Sequence, residues 1–202
     1  MAKQPRAGGR PLLERLAEYP VIASVTRDRE IAAAGAGRTR VVMLNSIELA
    51  CLAGLVAQAR AADLLCLVHA EMIAGLANDA AAVGYLKSIG ADGVMTTRAQ
   101  TVSATRSLGL TAVQRVFVTD HVAVERSLAA VERTRPDLVE LSPALALGAL
   151  DAGTRKRFSP MLANGLVTEP GEVEWLRELG AVGVTTSRAT LWARDFSATA
   201  GG

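Results

Sequence analysis

Aromatic side chains make up only 3% of the 202 residues, so a surface that stacks a row of nucleobases has few rings to work with. There are two cysteines, Cys51 and Cys66, far apart and set in apolar runs. That pattern predicts buried reduced thiols rather than a disulfide framework. Charge of one sign is also missing: 22 Lys and Arg against 20 Asp and Glu leave a formal +2. Such a balance gives no strong pull toward nucleic acid or an anionic membrane. The richest apolar stretch, 47–86, is broken by Gln58, Arg60, Asp63, His69 and Glu71, so no segment is expected to span a bilayer. The opening MAKQPRAGGR has no apolar signal region, and a cytoplasmic protein is expected.

Several reaction signatures are absent as well. The sequence has no GxSxG elbow, no P-loop, and no GxGxxG after its first strand-like run. No lysine stands at the end of such a run, which disfavours Schiff-base aldolase chemistry. No catalytic set and no cofactor site are predicted.

What is present is a core: half of the residues are hydrophobic, in a length suited to one good core. Short β-branched runs alternate with amphipathic helical patterns. The runs fall at 21–25, 41–45, 64–70, 92–96, 111–118, 137–141, 160–164 and 182–186. They lack clean polar alternation, as expected of strands buried on both faces in a parallel sheet. Gly109 and Gly180 follow apolar-periodic stretches and predict helix ends. Thr168, ahead of Glu169–Pro170, is a candidate N-cap.

One phrase occurs twice. LKSIGADGVMTTR at 86–98 returns as LRELGAVGVTTSR at 176–188, an offset of 90. The offset pairs the fourth strand with the eighth, the relation between two halves of a closed barrel. The expected fold is therefore a compact α/β, (βα)8 TIM-type barrel with a half-barrel internal repeat, preferred over an open doubly wound sheet. Residues 11–196 form the expected barrel domain, and 1–10 and 197–202 the expected flexible tails.

Barrels of this kind place their sites at the strand C-termini, with phosphate commonly held after strands seven and eight. Asn164–Gly165 and Thr185, Thr186 and Ser187 occupy those places. Gly165 would let the backbone approach an anion, and the hydroxyls would donate to it; simple capping by Thr186 or Ser187 is the alternative. Arg115 lies within the fifth strand and Glu140 within the sixth. They are expected to form a buried ion pair, a ligand contact, or both. His69 and Glu71 flank Ala70 at the end of the third strand and would face the same side of an extended segment. They suit a base with its carboxylate, a pair binding ligand hydroxyls, or a satisfied polar edge. A metal is disfavoured, because His121 is the only other histidine. Asn45 and Arg98, after the second and fourth strands, complete a polar mouth fit for a small phosphorylated polyol.

Through these residues the chain from about 20 to 195 resembles the glycerol-3-phosphate responsive antiterminator family. The matching phrases are HAEMIAGL, GADGVMTTR, QRVFVTD, DLVELSP, ANGLV and VGVTTSRATLW. The resemblance implies a cytoplasmic regulator that senses glycerol 3-phosphate, binds leader mRNA and prevents premature termination of glycerol-utilisation genes. It carries over His69, Arg98, Gln114, Arg115, Glu140, Gly165, Thr185 and Thr186. The chain departs from the family pattern at Glu71, usually Asp, at Asn164 and Ala144, usually Gly, and at Arg188, often neutral. An isomerase or lyase acting on a phosphorylated metabolite, and a sensor acting on a protein partner, are the competing readings. RNA would need a basic stripe, for which Arg98, Arg106, Arg126, Arg133, Arg135 and Arg188 are the candidates.

Overall fold

A computed structural model of the chain describes residues 7–196. Eight parallel strands close into a barrel, each paired with its sequence neighbours and the last with the first. They are β1 Val21–Val25, β2 Val41–Leu44, β3 Leu65–His69, β4 Gly93–Thr96, β5 Thr111–Phe117, β6 Leu138–Ser142, β7 Met161–Asn164 and β8 Ala181–Thr186. All eight expected strands are present. Most of their residues are buried, and the strands serve two cores at once. Side chains facing out, such as Val42, Val94, Leu141 and Val184, pack under the helices. Those facing in, such as Ile22, Met43, Leu67, Met95, Val113 and Leu162, form a separate inner cluster.

That inner cluster is sealed at the strand N-termini by the first helix, α1, Arg10–Glu18. Its Leu12 and Leu16 are buried in it. Residues 7–10, expected to belong to a flexible tail, are therefore part of the fold. Ala7–Gly9 form a 3-10 turn leading into α1, and the Gly8 carbonyl accepts a hydrogen bond from the Thr111 hydroxyl. A Cβ on Gly8 or Gly9 would meet the Asp137 side chain at 3.1 or 3.0 Å, so the glycines permit this close seating. Residues 1–6 and the second expected tail, 197–202, lie outside the described residues.

The remaining helices are α2 Asp28–Ala36, α3 Leu49–Ala61, α4 Ala80–Ser88, α5 Ala99–Ser107, α6 His121–Thr134, α7 Ala152–Arg157, α8 Pro170–Glu178 and α9 Ala189–Trp192. The cap of α8 differs from expectation. Glu169 is the N-cap, and the Glu172 carboxylate accepts from the Thr168 and Glu169 amides. Pro170 takes the first helical position, and Glu169 with Glu172 forms a capping box one residue after Thr168, the expected cap. Cys66 is buried, and burial pushes its thiol up to about 12. Cys51, expected to be buried too, is exposed on α3. The buried stripe of that helix runs through Leu52, Leu55, Val56 and Ala59 and leaves Cys51 off it.

The repeated phrase has a physical meaning in both halves. Gly90 and Gly180 end helices with φ of +90° and +100°, a region where a side chain is strained. Gly93 and Gly183 point into the barrel, where a Cβ would meet Leu67 at 2.6 Å and Leu16 at 2.8 Å. The Thr96 hydroxyl accepts from the Arg98 amide at 3.0 Å, and Thr186 from Arg188 at 3.1 Å. Each hydroxyl thereby caps the turn from strand into helix.

Candidate ligand site at the barrel mouth

Above the apolar inner cluster the inward positions turn polar on every strand. The alternation that points Ile22, Met43, Leu67, Met95, Val113, Leu138 and Leu162 inward delivers Ser24, Asn45, His69, Thr97, Arg115, Glu140 and Asn164 to the mouth. Thr185 follows from Gly183 in the same way. A ring of polar groups thus caps the core at the strand C-termini, the end expected to carry the site.

On the side of β5 to β8 the ring is organised around Glu140, which is fully buried. Its Oε1 lies 3.5 Å from Arg115 Nε and accepts from Asn164 Nδ2 at 3.0 Å. Its Oε2 accepts from the Thr185 hydroxyl at 3.1 Å. Burial raises the Glu140 pKa, and Arg115, Asn164 and Thr185 oppose that shift without cancelling it. The Arg115 guanidinium donates to Ser142 Oγ at 3.2 Å and lies 5.4 Å from the centre of the Phe117 ring. Arg115 and Glu140 are therefore one unit, as expected, held from four strands. Its Asn164 contact belongs to a position where the resemblance has glycine.

On the side of β2 to β4 the ring is organised around His69. Asn45 donates through Nδ2 to the Met43 carbonyl at 3.0 Å and to Ser24 Oγ at 3.1 Å. Asn45 Oδ1 faces His69 Nδ1 at 3.0 Å, and His69 Nε2 lies 3.6 Å from Glu71 Oε2. Glu71 is not in an extended segment; Ala70–Met72 form a 3-10 turn, and that turn curls the carboxylate back over the histidine. Glu71 Oε1 accepts from the Thr96 hydroxyl, the Thr97 amide and the Thr97 hydroxyl at 2.7, 2.8 and 3.0 Å. Burial works against the Glu71 charge, but these bonds outweigh it and its pKa is lowered. Burial drops His69 to about 4, helped by Arg115 and opposed by Glu71, so the imidazole is neutral at neutral pH.

Three expected residues have other places. Thr186 points outward from β8; its hydroxyl donates to the Val167 carbonyl, and its carbonyl accepts from Trp192 Nε1. An irregularity between Ala181 and Gly183 sets this parity, so Thr185 faces the mouth while Thr186 acts as a cap. Gln114 also points outward, accepting from the Thr134 hydroxyl of α6. Arg98 is exposed at the N-terminal end of α5, at the rim rather than within the ring. Gly165 has φ of +98° and Leu166 of +64° in the loop after β7, and Ser187 and Arg188 are exposed after β8. Ser24, Thr97 and Ser142 are additional members that strand-end reading missed. Each is a small hydroxyl residue whose inward parity was the available signal.

The six arginines do not share a face. Arg98 and Arg188 stand at the mouth, whereas Arg106, Arg133 and Arg135 stand at the opposite ends of α5 and α6. Cavities of about 440 and 750 Å³ flank the short pairing of Ile47–Glu48 with Ile73–Ala74, and neither is lined by the polar ring. Among the described residues no cluster of three His, Cys, Asp or Glu is placed to hold a metal. None of their helices is long and apolar enough to cross a membrane.

Known proteins match this chain over most of its length. The uncharacterized protein YgcP of Escherichia coli K12 is 25% identical over 183 residues, 90% of this chain and 96% of that protein. The crystal structure of a glycerol uptake operon antiterminator regulatory protein from Listeria monocytogenes superposes with a TM-score of 0.80 at 27% identity. It covers 86% of this chain and 95% of that one. A glycerol uptake operon antiterminator-related protein from Thermotoga maritima shares the fold, with a TM-score of 0.77 at 23% identity over 86% of this chain and 97% of its own. Residues 21–192, from the first barrel strand to the last helix, match the family described as glycerol-3-phosphate responsive antiterminator, and the chain belongs to that family.

Proposed function

We propose that the protein senses glycerol 3-phosphate at the barrel mouth and, when liganded, binds the leader mRNA of glycerol-utilisation genes to prevent premature termination. The observation that carries this reading is the polar ring, to which every strand of the barrel contributes. A small polyol needs many directional partners in a narrow space, and a ring of side chains on rigid strand ends supplies them. The phosphate is assigned to the loops after β7 and β8, the first with consecutive left-handed residues, Gly165 and Leu166, and the second with exposed Ser187 and Arg188. Arg can bind a phosphate through two parallel bonds. Met72, Phe117, Leu145 and Leu166 stand exposed around the same mouth. That apolar rim supports contact with a macromolecule at the liganded end.

A thermal-shift series tests the ligand. A compound that binds only the native state stabilises it by about 2.7 kcal/mol at a hundredfold excess over Kd. Glycerol 3-phosphate should raise the melting temperature, and glycerol alone should not. Gly165 is a poor place to test the phosphate loops. Its φ of +98° would strain any side chain, and a Cβ would sit 3.3 Å from Ser142 Oγ. The exposed pair Ser187→Ala and Arg188→Gln leaves the fold alone and should shrink the ligand shift. A melting temperature that ignores millimolar glycerol 3-phosphate contradicts the assignment.

The enzyme reading rests on a separate observation, neutral His69 beside charged Glu71, a pairing suited to general acid–base chemistry. Incubation with triose phosphates in deuterated water would reveal it as deuterium incorporated at carbon.

A further inference from the structure

The geometry points to His69 and Glu71 as a pair of hydrogen-bond acceptors that selects a ligand carrying two adjacent hydroxyls; this rests on the mouth being a phosphorylated-polyol site. The Met43 carbonyl can only accept a hydrogen bond. It lies 3.0 Å from the Asn45 side-chain amide and therefore faces the NH2 group. Asn45 Oδ1 is then the atom turned toward His69 Nδ1 at 3.0 Å. An oxygen there requires the proton on Nδ1, and in the neutral ring that burial favours this leaves a lone pair on Nε2. Glu71 is fixed by an independent set of bonds. Its Oε1 takes all three donors from Thr96 and Thr97, and its Oε2 is buried with no hydrogen-bond donor. Nε2 and Oε2 face each other 3.6 Å apart, two acceptors with no hydrogen between them.

Such a gap is completed by donors from outside the chain. A vicinal diol offers one O–H to each acceptor, whereas a carbonyl in place of either hydroxyl turns a third acceptor toward them. His69 on β3 stands four strands from β7, on the opposite side of the barrel from the Gly165 loop. A ligand whose phosphate lies at the β7–β8 loops therefore reaches the acceptor pair with its far end. Glycerol 3-phosphate carries its diol there. Dihydroxyacetone phosphate has the same carbon skeleton and phosphate but a ketone at the middle carbon. The chain's departure to Glu71 is part of the device, since the longer arm closes on His69 from the 3-10 turn while still reaching Thr96 and Thr97.

The test is calorimetric titration of the whole protein with glycerol 3-phosphate, dihydroxyacetone phosphate and inorganic phosphate, together with nitrogen-15 spectra of its imidazoles. The chain has only two histidines, which keeps the spectra simple. Glycerol 3-phosphate should bind about ten- to a hundredfold tighter than the ketone, the range for a buried acceptor left without a donor. His69 should carry its proton on Nδ1, and its Nε2 resonance should move when glycerol 3-phosphate is added. Glu71→Gln turns an NH2 group onto Nε2, so the preference should fall toward unity while inorganic phosphate binds as before. Equal affinity of the wild type for the two esters overturns the inference and leaves the phosphate site standing, as does a His69 proton found on Nε2. Failure of all three compounds to bind removes the polyol reading of the mouth and this inference with it. Should Glu71→Gln fail to fold, the wild-type ligand series and the tautomer decide the matter.

Discussion

Arg115→Met is expected to lower stability by about 3–5 kcal/mol at neutral pH, because it leaves the partner of a buried pair uncompensated. The Glu140 side chain is wholly inaccessible and that of Arg115 only 17% exposed, so water cannot take over the lost partner. The deficit should depend on pH with a definite sign. Glu140 already has a raised pKa from burial, and Arg115 is the largest influence holding it down. Removing Arg115 raises it further. A carboxylate raised in the folded state favours folding below its unfolded pKa, about 4.3. That contribution is lost as pH climbs through the folded value. The variant should therefore approach wild type near pH 4 and fall furthest behind it above the raised folded pKa. Adding Glu140→Gln should recover most of the loss, since the amide oxygen can still accept from Asn164 and its nitrogen can donate to Thr185. Urea melts of the two variants across pH provide the check. A single variant that melts like wild type at every pH would show that Arg115 carries no buried pair.

Leu16→Ala is the second large effect, a loss of about 2–5 kcal/mol for a buried leucine cut to its Cβ. Leu16 is 3% exposed and closes the inner cluster from below. The companion change is Gly183→Ala. Alone, its methyl would sit 2.8 Å from one Leu16 methyl carbon, 3.0 Å from the other and 3.1 Å from Leu162. Overpacking of this kind costs about 1–3 kcal/mol. Combined, the new methyl enters the space the leucine leaves. The double variant should lose clearly less than the sum of the single losses, a coupling that a denaturation cycle measures directly. Strict additivity would place α1 away from Gly183.

The barrel was legible because its strands obey one rule. Runs such as VVML and LCLVH are apolar on consecutive residues, which suits strands that face a core on each side. The repeat supplied closure, since Gly93 and Gly183 occupy equivalent inward positions. Asn45, His69, Arg115, Glu140 and Asn164 were legible as members of the polar ring because each sits at or near the end of such a run with inward parity. Thr186 was not separable from Thr185, because a single irregularity at Ala181–Gly183 fixes which threonine faces in. Neither was the reach of Glu71 to Thr96 and Thr97, which depends on a one-turn 3-10 segment. The seating of residues 7–9 was hidden for another reason. Glycines that look like tail composition are used here for their lack of a side chain against Asp137.

The central claim is that occupancy of the mouth controls a contact made with RNA around it. With only +2 of net charge, and with Arg98 and Arg188 on a different face from Arg106, Arg133 and Arg135, affinity without ligand should be poor. Its salt dependence should be shallow, at about −0.7 in log–log slope for each phosphate neutralised on a single strand. Two sites coupled in this way must affect each other equally, so RNA should tighten glycerol 3-phosphate binding by the factor with which glycerol 3-phosphate tightens RNA. The decisive measurement is a titration of labelled leader RNA at several salt concentrations, with and without saturating glycerol 3-phosphate. The account predicts tighter binding with the ligand at every salt concentration; RNA affinity that is the same with and without it would contradict the account.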